Sequence, residues 1–328
     1  MWRYIGKRLL ILIPLLLALS VVVFIIIQLP PGDFLTSYIN LLRSQGQNID
    51  EAQIEQLRMR YGLDQSEIVQ YFKWMGNLLT GNFGYSFLYN RSVNQLLADR
   101  LPTTILLSFT SILLVWIIAL PLGFYSATHK YSLLDYTVTS VSFCGMSIPD
   151  FLLSLVILWF YFSATGKFGG GLYSDQFINA PMSWAKFADL LGHIWMPYLV
   201  VIITSTASLI KSFRANLLDE LNKPYVRTAR AKGVSNFRLI IKYPVRIAMI
   251  PFVSTIGWML PTLISGQTVI AIVMNLPTVG PLLLEALKSQ DMYLAGSIVF
   301  VLGALTMLGT LISDVLLALT DPRIRNKM

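Results

Sequence analysis

Few side chains in this 328-residue chain have the type and spacing for bond chemistry. It holds two histidines and one cysteine. His129 and His193 stand at the ends of apolar runs, where a solvated or interfacial ring is expected. Cys144 lies inside an apolar run, has no second cysteine to pair with, and is expected as a small buried apolar residue. No H-E-x-x-H or paired-cysteine spacing exists, so no metal site is predicted. No G-x-x-x-x-G-K-[ST] exists, so the chain does not hold ATP through a P-loop. Gly169–Gly171 have no strand before them and no Lys-Ser/Thr after them, which rules out a phosphate cradle. ISGQT, Ile264–Thr268, falls in the middle of an apolar run, where a soluble catalytic loop cannot be. Two carboxylates stand out in apolar runs, Asp150 and Asp314. A carboxylate at bilayer depth costs about 2.5–3.5 kcal/mol on insertion scales, so it must face protein or water. Asp150, placed near the middle of the third run directly after Pro149, is the candidate for lining a solute pathway, against a structural bond to a neighbouring helix. Asp314 is the weaker candidate because it falls near the end of its run. The most unusual stretch is basic: KPYVRTARAKGVSNFRLIIKYPVR, Lys223–Arg246, carries seven cations and no acid.

These residues must be positioned by membrane helices. The chain is 55% hydrophobic and only 13% charged, against about 25% charged in soluble domains. Crossing roughly 30 Å of hydrocarbon at about 1.5 Å per residue takes about 20 apolar residues. Six runs qualify, near 9–29, 103–128, 133–164, 194–210, 247–274 and 293–319. The first is too long for a signal-peptide core and lacks a cleavage site, so it is read as a retained span. With the N-terminus inside, sixteen Lys and Arg fall on the cytoplasmic side and three, Lys167, Lys186 and Lys288, in short external loops. That bias puts both termini in the cytoplasm. The net charge of +8 follows span ends rather than a groove for nucleic acid.

The whole of 1–328 reads as one transmembrane domain, with an external helical insert over 30–101 and a cytoplasmic loop over 211–246. In the insert, Asp50 and Gln53 form a helix-capping pair, Ile68, Phe72, Met75 and Leu79 share helical spacing, and SVNQLLADRLP reads as a third short helix. These faces pack on each other and on span ends, or receive an extracellular partner. Tyr61 and Trp74 are the candidates for that docking. In a second external loop, Ser183 is expected to cap a helix with Trp184, Phe187 and Leu191 on one face.

In the basic stretch, Pro224 suits a first helical turn and Gly233 a left-handed stop. Tyr225, Val226 and Ala229 offer a small apolar face, and Ser235 can cap a second helix. TARAKG followed by a helix and Ile250-Pro251 resembles the cytoplasmic coupling loop of binding-protein-dependent ABC importer permeases. KRLLILIPLLLALSVVVFIIIQLPPGD, YGLD, QYFKWMGNLLTGNFGYS, RLPTT, PLGFYSA, GMSIPDF, QDMYLAGSIV and LISDVLLALTDPRIR follow the dipeptide/oligopeptide branch of that family in order.

The resemblance implies an all-α membrane protein of the MetI-like permease fold with six transmembrane helices. It implies that Tyr225, Arg227, Thr228, Ala229, Ala231 and Gly233 couple to an ATPase. It implies two ATPase subunits that carry ATP and Mg, a second permease subunit and an extracytoplasmic solute-binding protein, in a bacterial or archaeal plasma membrane. This chain itself then performs no catalysis and holds no cofactor. Tyr243, Pro244, Ile247, Ala271 and NLPTVG depart from the common peptide-permease pattern, so short peptides and oligosaccharides both stay open as substrates. The alternatives are a secondary transporter driven by an ion gradient and a six-span assembly factor or receptor. The first usually carries internal repeats and intramembrane ionisable groups.

Overall fold

Apolar runs become long helices; proline marks the breaks before Asp150 and Tyr225 and glycine those at Gly166 and Gly233, while the breaks at 129–132 and 289–291 carry neither. The computed structural model describes residues 2–28, 65–86, 88–250, 252–253 and 267–320. Its elements are α1 (Trp2–Gln28), α2 (Glu67–Leu79), a hairpin of β1 (Tyr85–Ser86) and β2 (Arg91–Ser92), and α3 (Val93–Thr128). They continue with α4 (Leu133–Ser147), α5 (Asp150–Thr165), α6 (Trp184–Leu221), α7 (Pro224–Ala231) and α8 (Asn236–Ile240). A π-helical turn Ile241–Val245 and a further turn Arg246–Ala248 follow, then α9 (Val279–Lys288) and α10 (Met292–Thr320).

The helices α1, α3, α6 and α10 are each long and apolar enough to cross a membrane. The third run differs from the single span expected over 133–164. It is two helices, α4 and α5, meeting at 101°. Ile148 and Pro149 are extended at the break. Proline supplies no N–H to continue α4 and disfavours the helical conformation of the residue before it. Asp150 is therefore in the first turn of α5 and not in the middle of a helix. Half of the fifth run, 251 and 254–266, lies outside the described residues, as do Tyr61 and the capping pair Asp50–Gln53.

Three expected breaks are absent. SVNQLLADRLP is not a separate helix but the opening of α3. The capped external helix, the short fourth run and the first residues of the basic loop form one continuous 38-residue helix, α6. Ser183 does cap it, its hydroxyl accepting from the N–H of Lys186 at 3.2 Å. At about 1.5 Å per residue α6 is about 57 Å long, so it projects past any bilayer core.

The chain forms two compact units. One comprises 104–277 and 308–328. Its core is built along α6, where Met196, Val200, Phe213 and Leu217 are fully or almost fully buried. Phe213 meets the Phe252 ring edge-to-face at 5.3 Å. A stripe on α4, Asp135, Val138, Ser142 and Gly145, recurs at helical spacing, and its Asp135 and Gly145 are buried. A Cβ on Gly145 would sit 2.6 Å from the carbonyl oxygen of Ile203, so glycine is what lets α4 approach α6 this closely. Cys144, one residue off that stripe, is exposed and not buried as expected.

The second unit comprises 2–103 and 278–307. Here Trp74 of α2 is 6% exposed, packed against Phe24 and Phe300 at ring-centroid distances of 5.9 and 6.1 Å. The carboxylate of Asp291 is fully buried. It accepts from the Ser86 hydroxyl at 2.6 Å, the Leu88 N–H at 3.1 Å and the Leu294 N–H at 3.2 Å, which ties the hairpin to the start of α10.

Candidate functional site

The basic stretch folds as the residues require. Lys223 is extended at the N-cap and Pro224 opens α7, where a missing N–H costs nothing. The helix stops at Gly233, whose φ is +76°. The Gly233 N–H donates to the Arg230 carbonyl at 3.0 Å and the Val234 N–H to the Ala229 carbonyl at 3.4 Å. These are the two bonds of a Schellman stop, which needs the left-handed residue between them. Ser235 stands at the N-cap of α8, though its hydroxyl makes no capping bond. The π-helical turn then carries Pro244, a register change that suits a residue unable to donate in an α-helical ladder.

The two sides of α7 differ. Val226 is fully buried, with Tyr225 and Ala229 half-buried beside it against the same core. Arg227, Thr228, Arg230 and Ala231 are exposed. The expected coupling residues therefore separate into an inner set, Tyr225 and Ala229, and an outer set, Arg227, Thr228 and Ala231. Gly233 sets where the helix ends.

The Tyr225 hydroxyl donates to Glu220 Oε2 at 2.6 Å. Burial, and then the neighbouring Glu220 carboxylate, raise the Tyr225 phenol well above its ordinary range, so it stays a donor. Glu220 is the penultimate residue of α6. The bond joins the short surface helix to the end of the 38-residue helix, across a connection of only Asn222 and Lys223. An exposed helix that is buried on one side and bonded to the tip of a long helix can pass a push from outside into the helices packed on α6.

The family assignment rests on matches along almost the whole chain. The family model for binding-protein-dependent transport system inner membrane components matches residues 119–326, and the model for the N-terminal part of such components matches 1–108. The chain belongs to this family. It is a multi-pass membrane permease component of ABC importers, with the MetI-like fold. It is 34% identical over 325 residues to the oligopeptide transport system permease protein AppB of Bacillus subtilis, covering 99% of each chain. It is 35% identical over 328 residues to a putative peptide permease protein of Brucella suis, again with 99% of each covered. It is 30% identical to the dipeptide transport system permease protein DppB of Lactococcus lactis, over 99% of this chain and 100% of that one. Nothing in these matches supports a secondary transporter.

The other sequence candidates fall elsewhere. Asp150 is half-buried in the first turn of α5, where the helix dipole favours a carboxylate. Trp74 is buried and cannot itself face a docking partner; the face that α2 leaves open carries Ile68, Phe72 and Leu79. His193, expected to be solvated or interfacial, is 8% exposed, and its Nδ1 lies 2.8 Å from the Asp189 carbonyl. In ISGQT, Gln267 donates to Ser111 Oγ at 3.1 Å and accepts from Ser108 Oγ at 3.3 Å, a clamp between helices. The glycine turn has a structural use too, the Gly171 N–H donating to the Met274 carbonyl at 2.7 Å.

Sequence reading passed over Asp135, which lies in the same run as Asp150. Arg214 of α6 donates to both its carboxylate oxygens at 2.8 Å, and the Tyr131 N–H donates to one of them at 2.9 Å. The available signal was an acid near the start of a span and an arginine near the end of another, on what the charge bias makes the same side.

Proposed function

We propose that α7 is the contact through which a partner ATPase drives this permease, and that the solute is a short peptide. The observation that carries the first part is the construction of α7: an exposed Arg227, Thr228, Ala231 face, a buried Val226, and the Tyr225–Glu220 bond to the end of α6. In this reading ATP and Mg bind two separate ATPase subunits, and their closure displaces α7. The displacement passes along α6 to α4 through the close approach at Gly145. The spans then switch between inward- and outward-facing states.

A second, homologous permease chain supplies the other half of the pathway, and an extracytoplasmic solute-binding protein delivers the solute. Peptides are favoured because the relatives named above are oligopeptide, dipeptide and putative peptide permeases. Oligosaccharides are the second class. The sixteen-to-three distribution of Lys and Arg supports six spans with both termini cytoplasmic in a bacterial or archaeal plasma membrane. The insert over 30–101 is then external, and Tyr61 stays a candidate contact for the binding protein.

The test is single-cysteine crosslinking in the assembled transporter. Arg227→Cys should crosslink to the ATPase, with a yield that changes between nucleotide-free and ATP-trapped states. Ala229→Cys, facing inward, should react much less. Equal labelling at both positions, or no ATPase crosslink at Arg227, would overturn the docking assignment.

A further inference from the structure

Between α4 and α6 lies a pocket of about 220 Å³, lined by Thr139, Ser142, Phe143, Met146, Lys211 and Arg214 among others. Its polar groups are unusual for a helix pair. Thr137 and Ser147 on α4 donate to the Leu133 and Phe143 carbonyls of their own helix. The hydroxyls of Thr139 and Ser142 make no such bond, and among the described residues the Lys211 ammonium has no hydrogen-bond or ion-pair partner. Arg214 is committed to Asp135, which cancels its charge. Among the described residues the pocket therefore holds one positive charge without an ion-pair partner, with the Lys211 Nζ 4.9 Å from the centre of the Phe143 ring.

Its depth is fixed by the sequence. The apolar stretch of α6 over 194–210 ends at Ile210, and Lys211 is the next residue. A cation there stands at headgroup level, with Phe143 and Met146 as an apolar wall beside it. Cationic pockets between spans at that level attract anionic headgroups.

We propose that this pocket binds the headgroup of an anionic phospholipid with a single phosphodiester charge, of the phosphatidylglycerol type. The phosphate lies on Lys211, the Thr139 and Ser142 hydroxyls donate to its oxygens, and the first acyl methylenes run along Phe143 and Met146. A zwitterionic headgroup would bring its own ammonium against Lys211. The proposal needs only that the chain spans a membrane and is independent of ATPase docking and of the solute.

The experiment is native mass spectrometry of the full-length chain in detergent, titrated with phosphatidylglycerol or phosphatidylcholine. Wild type should retain phosphatidylglycerol selectively. Lys211→Gln should lower that retention about fivefold, from the roughly 1 kcal/mol expected per basic residue at an anionic surface. Lys211→Arg should keep it, and Lys130→Gln, an exposed basic residue outside the pocket, should leave it unchanged. Equal retention in wild type and Lys211→Gln would overturn the proposal, and so would an equal loss in Lys130→Gln. Displacement of the lipid by millimolar inorganic phosphate, or by a short acidic peptide, would reassign the pocket to a free anion or to solute and overturn the lipid assignment. Should Lys211→Gln fail to fold, the double variant Thr139→Val, Ser142→Ala carries the test, and unchanged retention there is a negative result.

Discussion

Arg214 grips both carboxylate oxygens of Asp135, Nε to Oδ1 and Nη2 to Oδ2, each at 2.8 Å. The acid is almost completely buried and the arginine side chain keeps a quarter of its surface exposed. Arginine's planar fork matches a carboxylate in a way a lysine cannot. The pair pins the start of α4 to the far end of α6, close to α7.

Removing one partner leaves the other charge stranded. Arg214→Ala should destabilise the purified chain by about 3 kcal/mol, near the low end for a broken buried pair because Arg214 is partly exposed. Asp135→Ala, Arg214→Ala together should cost clearly less than the sum of the single changes. Thermal unfolding in detergent measures both, and additive losses would show that the two residues do not act as a pair.

Gly233 is the stop that α7 cannot replace with a side chain. Nothing lies within 4 Å of a Cβ built there, so the effect of a substitution comes from the backbone at φ +76° and not from a clash. Gly233→Val should cost about 1–2 kcal/mol locally and redirect the chain after α7. Gly233→Asn, a residue more tolerant of that region, should retain much more function. The readout is ATPase stimulation in the reconstituted transporter, with membrane insertion as the control. Wild-type coupling in the valine variant would remove the stop from the mechanism.

Tyr89 beside the hairpin donates its hydroxyl to Glu285 of α9. Burial, and then the Glu285 carboxylate, push the phenol up to about 12, from an ordinary value of about 10. A phenol with a raised folded pKa contributes stability that is fully present below its unfolded value and lost as pH rises through the folded one. The link should thus hold below pH of about 10 and disappear by about 12. Tyr89→Phe should remove about 0.5–1.5 kcal/mol below that window and lessen the alkaline loss of stability. Unfolding temperature against pH for the two proteins gives the comparison; parallel curves would refute the link.

Asp150 has two readings that substitutions separate. In the first turn of α5 its charge is worth about 0.3–1 kcal/mol through the helix dipole. Asp150→Asn keeps hydrogen bonding without the charge. If Asp150 lines the solute pathway, the asparagine variant should alter transport rate or peptide preference while expression and ATPase binding hold. If it only anchors α5, the variant should transport normally, and Asp150→Leu should lower stability or assembly.

The sequence by itself determined the class and the punctuation. Apolar run length located the long helices α1, α3, α6 and α10, because the bilayer sets how many residues a helix needs. Pro224 and Gly233 bracketed α7 correctly, because a proline at N1 and a left-handed glycine at C′ are local backbone requirements that need no tertiary partner. The order of short motifs was enough to point to the permease family. What only the tertiary structure decided is which way side chains face and which distant residues meet. Ala229 and Thr228 are neighbours in sequence, yet one lies against the core and the other is exposed. Trp74 shares a helix with exposed Phe72 and is buried by α1 and α10. Asp135 and Arg214 are 79 residues apart and meet because α4 packs along α6, the two helices that also approach closely at Gly145. Helical periodicity fixes the relative angle of side chains on one helix, but the direction of the buried side is set by the helices packed against it.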